Sequence, residues 1–235
     1  GFVNSGYQYQ DMHNSLQINN GNNTFSEISW MANVAETDWS WCPLIADFDN
    51  DGYKDIFVTN GIKREVFNKD FNNKQGKGLT ENPGLFEGVI SFLPEKKSYN
   101  AMFKNNGDLT FTDSAMDWGL KTQAFNSNGA AYADLDNDGD LDLFIGGFQT
   151  PGNYPRAGES QLLINDNGVF KNEIVSRTDN MSSIGMVKDA VFTDINNDNQ
   201  QDLVVVGHWM AIEIYINNNG AFTNQSKAYG TDNNI

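Results

Sequence analysis

A nine-residue acidic pattern occurs three times in this chain: Asp47-Phe48-Asp49-Asn50-Asp51-Gly52-Tyr53-Lys54-Asp55, Asp134-Leu135-Asp136-Asn137-Asp138-Gly139-Asp140-Leu141-Asp142 and Asp194-Ile195-Asn196-Asn197-Asp198-Asn199-Gln200-Gln201-Asp202. Each copy follows a short apolar run and leads into another, Ile56-Phe57-Val58, Leu143-Phe144-Ile145 or Leu203-Val204-Val205-Val206. Self-similarity on this scale is the signature of a repeat architecture, in which one supersecondary unit is stacked on copies of itself.

A second repeated element completes the unit. Leu16-Gln17-Ile18-Asn19-Asn20-Gly21 precedes Thr24-Phe25, and Met102-Phe103-Lys104-Asn105-Asn106-Gly107 precedes Thr110-Phe111-Thr112. Likewise Leu162-Leu163-Ile164-Asn165 leads through Gly168 to Phe170, and Ile214-Tyr215-Ile216-Asn217-Asn218 leads through Gly220 to Phe222-Thr223. Strand, Asn/Gly turn, strand is a hairpin signal. One unit is then four strands, and four-stranded repeats of this length predict an all-β fold, a β-propeller. Three blades are expected. The first spans 40–113, with strands near 40–47, 54–60, 99–104 and 109–113. The second spans 128–174, with strands near 128–134, 141–147, 161–165 and 169–174. The third spans 187–225, with strands near 187–194, 202–208, 211–217 and 221–225. Residues 1–30 supply the end of a preceding blade, making about three and a half blades and pointing to a segment of a larger propeller, because propellers close with about 4–8 blades. The first two acidic loops are 87 residues apart and the last two 60. The surplus falls in a polar stretch, 62–98, read as an inserted loop.

Alternating oxygen-bearing side chains are what a hard cation requires. In each loop positions 1, 3 and 5 can turn inward, a backbone carbonyl at position 7 adds an oxygen, and the Asp at position 9 closes the shell. The candidate ligands are Asp47, Asp49, Asp51, Tyr53 and Asp55 in the first loop. The second loop offers Asp134, Asp136, Asp138, Asp140 and Asp142, and the third Asp194, Asn196, Asp198, Gln200 and Asp202. The backbone would serve at Tyr53, Asp140 and Gln200. Calcium is the expected ion, at two sites and a third possible one, the third weakened by Asn196 in place of a carboxylate. An EF-hand is excluded, since its twelfth position needs a bidentate Glu and the residues here are Val58, Ile145 and Val205. The expected role is structural, an ion relieving carboxylate repulsion and pinning the loop.

Composition narrows the rest. Of the 31 acidic residues, twelve lie in the three loops, and the net charge of −16 argues against nucleic acid as a partner. No stretch is apolar for the length a transmembrane helix needs. Cys42, alone in the sequence and flanked by Trp41, Pro43 and Leu44, reads as a buried small hydrophobe. No acid pair or histidine constellation stands apart from the loops, so no catalytic residue is assigned and the chain is read as a non-enzyme.

The segments Ala46–Val58 and Ala133–Phe144, with the hairpin Lys104-Asn105-Asn106-Gly107 and Phe111-Thr112-Asp113, resemble the FG-GAP/VCBS repeat family, the calcium-loop propellers that include the integrin α-subunit head. Together with Trp39-Ser40-Trp41 and Gly207-His208-Trp209-Met210 they are similar to VCBS-repeat proteins with ASPIC/UnbV-type modules. The resemblance implies a propeller, structural calcium, an extracytoplasmic setting (secreted or cell surface) and a role in recognition or assembly. Acidic loops would lie on one face. A protein or glycan partner is expected on the opposite face, where the insertions 62–98 and 148–160 emerge. The alternative is a carbohydrate-binding module or an accessory domain of a polysaccharide-active enzyme, using Trp39, Trp41, Trp118 or Trp209. Packing between blades is the competing reading of those tryptophans.

Overall fold

The apolar runs that flank each acidic loop pair with one another. In the computed structural model, which describes residues 13–37, 39–61, 99–120, 126–150 and 153–232, β3 (Ser40–Ala46) runs antiparallel to β4 (Asp55–Asn60), with Ala46 opposite Asp55 and Ile45 opposite Ile56. Strands β5 (Ala101–Asn105) and β6 (Phe111–Asp113) continue the sheet outward. The same order recurs in β7 (Ser127–Ala133), β8 (Asp142–Gly147), β9 (Gln161–Asp166) and β10 (Val169–Asn172). It recurs again in β11 (Met186–Thr193), β12 (Asp202–His208), β13 (Glu213–Asn218) and β14 (Ala221–Asn224). Before them, β1 (Gln17–Asn19) and β2 (Phe25–Glu27) form a two-stranded piece. Sequential antiparallel four-stranded sheets, packed face to face through their first strands, make a β-propeller.

Alternation along the strands sends side chains into two seams at once. Phe57 and Met102 pack forward with Ala130, Leu143, Ile145 and Leu163 of the second blade. Ile56, Val58 and Phe103 pack backward with Leu16, Ala32 and Val34. The second blade repeats this, sending Phe144 and Leu162 against Val187, Leu203, Val205 and Tyr215 of the third. Because both faces are covered, every residue of β4 and β8 is buried, and their central Ile56-Phe57-Val58 and Leu143-Phe144-Ile145 are apolar at successive positions. Two glycines permit the close approach of sheets. A Cβ on Gly129 would stand 2.7 Å from the Asp189 Cα, and one on Gly146 would stand 2.3 Å from a Val187 methyl.

The second residue of the first two acidic loops seals a seam. Phe48 and Leu135 are fully buried, whereas Ile195 is partly exposed because no blade follows it among the described residues. Next to the two-stranded piece lies an apolar cleft of about 250 Å³, lined by Leu16, Val34, Pro43, Ile45, Ile56 and Val58.

Two expectations change. The strand expected at 169–174 ends at Asn172, and Ile174–Arg177 forms a single helical turn, α1. The Asn172 carboxamide accepts from the Ile174 N–H, and Glu173 pairs with Arg177 one turn on, which closes the turn locally. Cys42 is half-buried, its Sγ 3.9 Å from the Ala130 carbonyl, and burial pushes its thiol pKa up, away from reactivity. The expected insertion 62–98 lies outside the described residues. No described helix is long and apolar enough to cross a membrane.

Candidate metal centres

Each acidic loop wraps on its own side chains. The Asp47 carboxylate accepts from the N–H groups of Asp51 and Gly52, at 3.1 and 2.9 Å. Asp194 does the same for Asp198 and Asn199, at 3.1 and 2.9 Å. Asp134 accepts from Gly139 N–H at 3.1 Å. The fifth residue then accepts from the N–H of the seventh, Asp51 from Tyr53, Asp138 from Asp140 and Asp198 from Gln200. Such side-chain-to-backbone bonds are the reason Asp and Asn dominate turns. Gly52 and Gly139 have φ of 91° and 96°, and Asn199 holds the same place at 67°. Position 4 is left-handed too: Asn50, Asn137 and Asn197 have φ of 57°, 61° and 62°. Asn recurs there because it tolerates that conformation at low cost.

This wrapping gathers carboxylates. Oxygens of Asp47, Asp49 and Asp51 lie within 4.8 Å of one another, as do those of Asp134, Asp136 and Asp138, so each triad could hold a metal ion. The chemistry of the donors fits a hard cation, and so does their state. Oδ1 of Asp49, Asp134 and Asp136 are buried with no hydrogen-bond partner. Buried unpartnered carboxylate oxygens are costly and rare; a cation would satisfy them. The third loop brings together only two carboxylates, Asp194 and Asp198, with Asn196 donating to Asp198 at 2.8 Å. Chiefly that bond, with those from the Gln200 N–H and side chain, holds the Asp198 carboxyl below the usual range.

The ninth residue has a second task. Asp55 accepts from Phe48 N–H at 3.0 Å and from Asn105 N–H at 2.8 Å. Asp142 accepts from Leu135 and Asn165, both at 2.8 Å, and Asp202 from Ile195 and Asn217, at 2.9 and 2.8 Å. All three are fully buried. Each therefore brackets its own loop to the third strand of its sheet. Burial raises the Asp55 pKa and pushes that of Asp142 up to about 7, the backbone donors opposing. Position 7 side chains reach the hairpin, Gln200 touching Asp198 as well. The Asp140 carboxylate accepts from Asn167 N–H, Gln200 accepts from Asn219 N–H, and the Tyr53 ring lies over Gly107. Only their backbone carbonyls are left for a cation.

Two basic residues reach the triads, neither of them anticipated from the loop pattern. Lys104 Nζ donates to Asp49 and, at 2.8 Å, to Asp51. Arg177 pairs with Asp136 at 3.2 Å and with Glu173 at 2.6 Å. Burial opposes the Arg177 charge, but Glu173 and Asp136 outweigh it and raise its pKa. The loops also touch each other, Asn50 donating to the Asp140 carboxylate at 2.7 Å. They share one face.

Comparison with known families now fits the geometry. The model of the FG-GAP-like repeat matches residues 3–58 and 89–145, which carry the first two acidic loops. Those two stretches are FG-GAP-like repeats. No curated protein matches it at a significant level. On the face opposite the acidic loops lie the described parts of the connections from second to third strand in the second and third sheets. There Trp209 is largely exposed, at positive φ, and its indole N–H donates to the Tyr154 hydroxyl at 3.2 Å. Trp118, in contrast, is buried against Phe170 in a blade seam, its ring 6.4 Å away.

Proposed function

We propose that this chain is a calcium-binding propeller module that serves extracellular recognition or assembly, with the ion structural and no reaction catalysed. The observation that carries the metal reading is the set of buried, unpartnered oxygens on Asp49, Asp134 and Asp136 inside two tight carboxylate triads. Asp47, Asp49 and Asp51 would hold one ion and Asp134, Asp136 and Asp138 another, with the Tyr53 and Asp140 carbonyls completing the shells. Asp194, Asn196, Asp198 and Gln200 form the weakest set. The ion supplies positive charge where three carboxylates crowd. Everything else is done by the chain: Asp55, Asp142 and Asp202 fix each loop to its sheet, and Asn50 ties the first loop to the second.

The family match supports a non-catalytic, extracytoplasmic module. Melting in calcium and in chelator tests the metal reading. At calcium about a hundredfold above Kd, linkage adds about 2.7 kcal/mol, which raises Tm by roughly 5–10 °C at this chain length. Equal midpoints in the two buffers refute it.

Trp209 and Tyr154 favour a second reading, a carbohydrate-binding surface on the face opposite the acidic loops. A glycan array probed with the native chain and with Trp209→Ala tests this. Binding lost on substitution supports it, and no glycan bound by the native chain rejects it.

A further inference from the structure

The residue that precedes the hairpin Asn is Lys104 in the first sheet, Ile164 in the second and Ile216 in the third. These three positions are equivalent in register, since Asn105, Asn165 and Asn217 make the same bond to the ninth residue of their loops. Ile164 is buried in the seam between the second and third blades. Packing at this position is therefore satisfied by an apolar side chain, and the lysine needs another explanation. Its ammonium lies across the first triad, donating to both Asp49 and Asp51. No other carboxylate partner of Lys104 occurs among the described residues.

The second triad has no such occupant. Arg177 reaches it from α1 and touches only Asp136 Oδ2, and its charge is already shared with Glu173 at 2.6 Å. Oδ1 of both Asp134 and Asp136 stay unpartnered, against Oδ1 of Asp49 alone in the first triad. Asp140 stands in the second loop where Tyr53 stands in the first, adding a further negative charge nearby.

Resting on the calcium reading above, we propose that Lys104 is a built-in competitor for the first cation site. A divalent ion and an ammonium that contact the same two carboxylates repel each other at short range. Occupation of the first loop thus requires the Lys104 side chain to swing out. With its side chain 35% exposed, solvent is available to receive it. The first loop is the weaker and more salt-sensitive of the two triads, and Lys104 sets its threshold, while the second loop fills first.

Terbium(III), a hard oxygen-seeking ion, with tyrosine excitation reads the first loop, because Tyr53 is its seventh residue. The second triad is silenced in an Asp134→Asn/Asp138→Asn background, and Tyr53→Phe establishes which signal belongs to the first loop. In that background Lys104→Met lowers the terbium midpoint by about tenfold or more, the size expected when one unit charge leaves an ion's contact shell. Lys104→Arg keeps the parent midpoint. A Lys104→Met midpoint within about twofold of the parent, or weaker binding, overturns the proposal while leaving the calcium reading intact. Absence of sensitised terbium in the parent and in Lys104→Met alike overturns the proposal together with the calcium reading of the first loop. Circular dichroism of each variant confirms that the comparison is between folded chains.

Discussion

The side-chain amide of Asn165 in the second blade donates to the main-chain carbonyl of Phe48 in the first, 2.8 Å away. The bond recurs one blade on, from Asn217 to the Leu135 carbonyl at 3.1 Å. Both carbonyls belong to the second residue of an acidic loop. The same Asn that turns the hairpin therefore also fastens its blade to the loop of the blade before. Asn165→Ala strands the Phe48 carbonyl in a buried seam and is expected to cost about 1–3 kcal/mol, read as a shift in urea midpoint with little change in slope.

The ninth loop residue and the fifth look alike in sequence but differ in burial. Asp202 is fully buried and accepts two backbone N–H bonds, whereas Asp198 lies in the exposed part of the third loop. In chelator-treated protein Asp202→Ala is expected to destabilise by about 2–4 kcal/mol, two buried donors being left unpaired, and Asp198→Ala by under about 1 kcal/mol. Chemical denaturation of both variants checks the difference; equal losses would contradict the bracket role.

Burial carries the Asp142 pKa up to about 7 in the protein without metal. A carboxyl whose folded pKa exceeds its unfolded value, about 3.9, holds its proton more tightly in the native state. Its contribution is present below the unfolded pKa and is lost as pH rises through the folded one. Metal-free protein is therefore expected to lose stability between about pH 4 and pH 7 through this group, and Asp142→Asn to flatten that slope. Melts across pH in chelator supply the comparison.

Phe25 and Phe170 occupy the same place in the repeat, after an Asn/Gly turn. Phe25 is 61% exposed and Phe170 4%, because Phe170 packs against Phe48 and Trp118 of the preceding blade. Phe170→Ala is expected to cost about 3–5 kcal/mol, the usual loss for a buried ring, and Phe25→Ala within about 0.5 kcal/mol, as for a surface site. Paired denaturation curves would show it.

Gly146 has Thr59 and Val206 as its counterparts in the other sheets. Its missing side chain admits Val187, whose methyl would stand 2.3 Å from any Cβ there. Gly146→Val forces the second and third blades apart and is expected to cost about 1–3 kcal/mol or more, visible as a lowered Tm.

Much of this molecule was written locally. The acidic triads are legible because positions 1, 3 and 5 of a tight loop converge whatever surrounds them, and the strands are legible because Ile56-Phe57-Val58 and its copies are apolar at every position. The Asn-Gly turns announce the hairpins, since few residues accept a positive φ. The helical turn Ile174–Arg177 was hidden, four residues being too few to show a period.

What the chain order could not tell was decided by contacts within and between blades. Nothing in the sequence of β5 says that Lys104 meets Asp49 and Asp51, 55 and 53 positions away, nor that Asn165 reaches Phe48 across 117. Sequence alone determined the repeat, its strands and the carboxylates that could take a cation, because those follow from near neighbours along the backbone. Tertiary structure decided which carboxylates are left unpartnered, which carry an ammonium and which serve as brackets. Burial and partnering depend on strands distant in sequence that meet only in the folded sheets, and on blades that meet only when one is laid on the next.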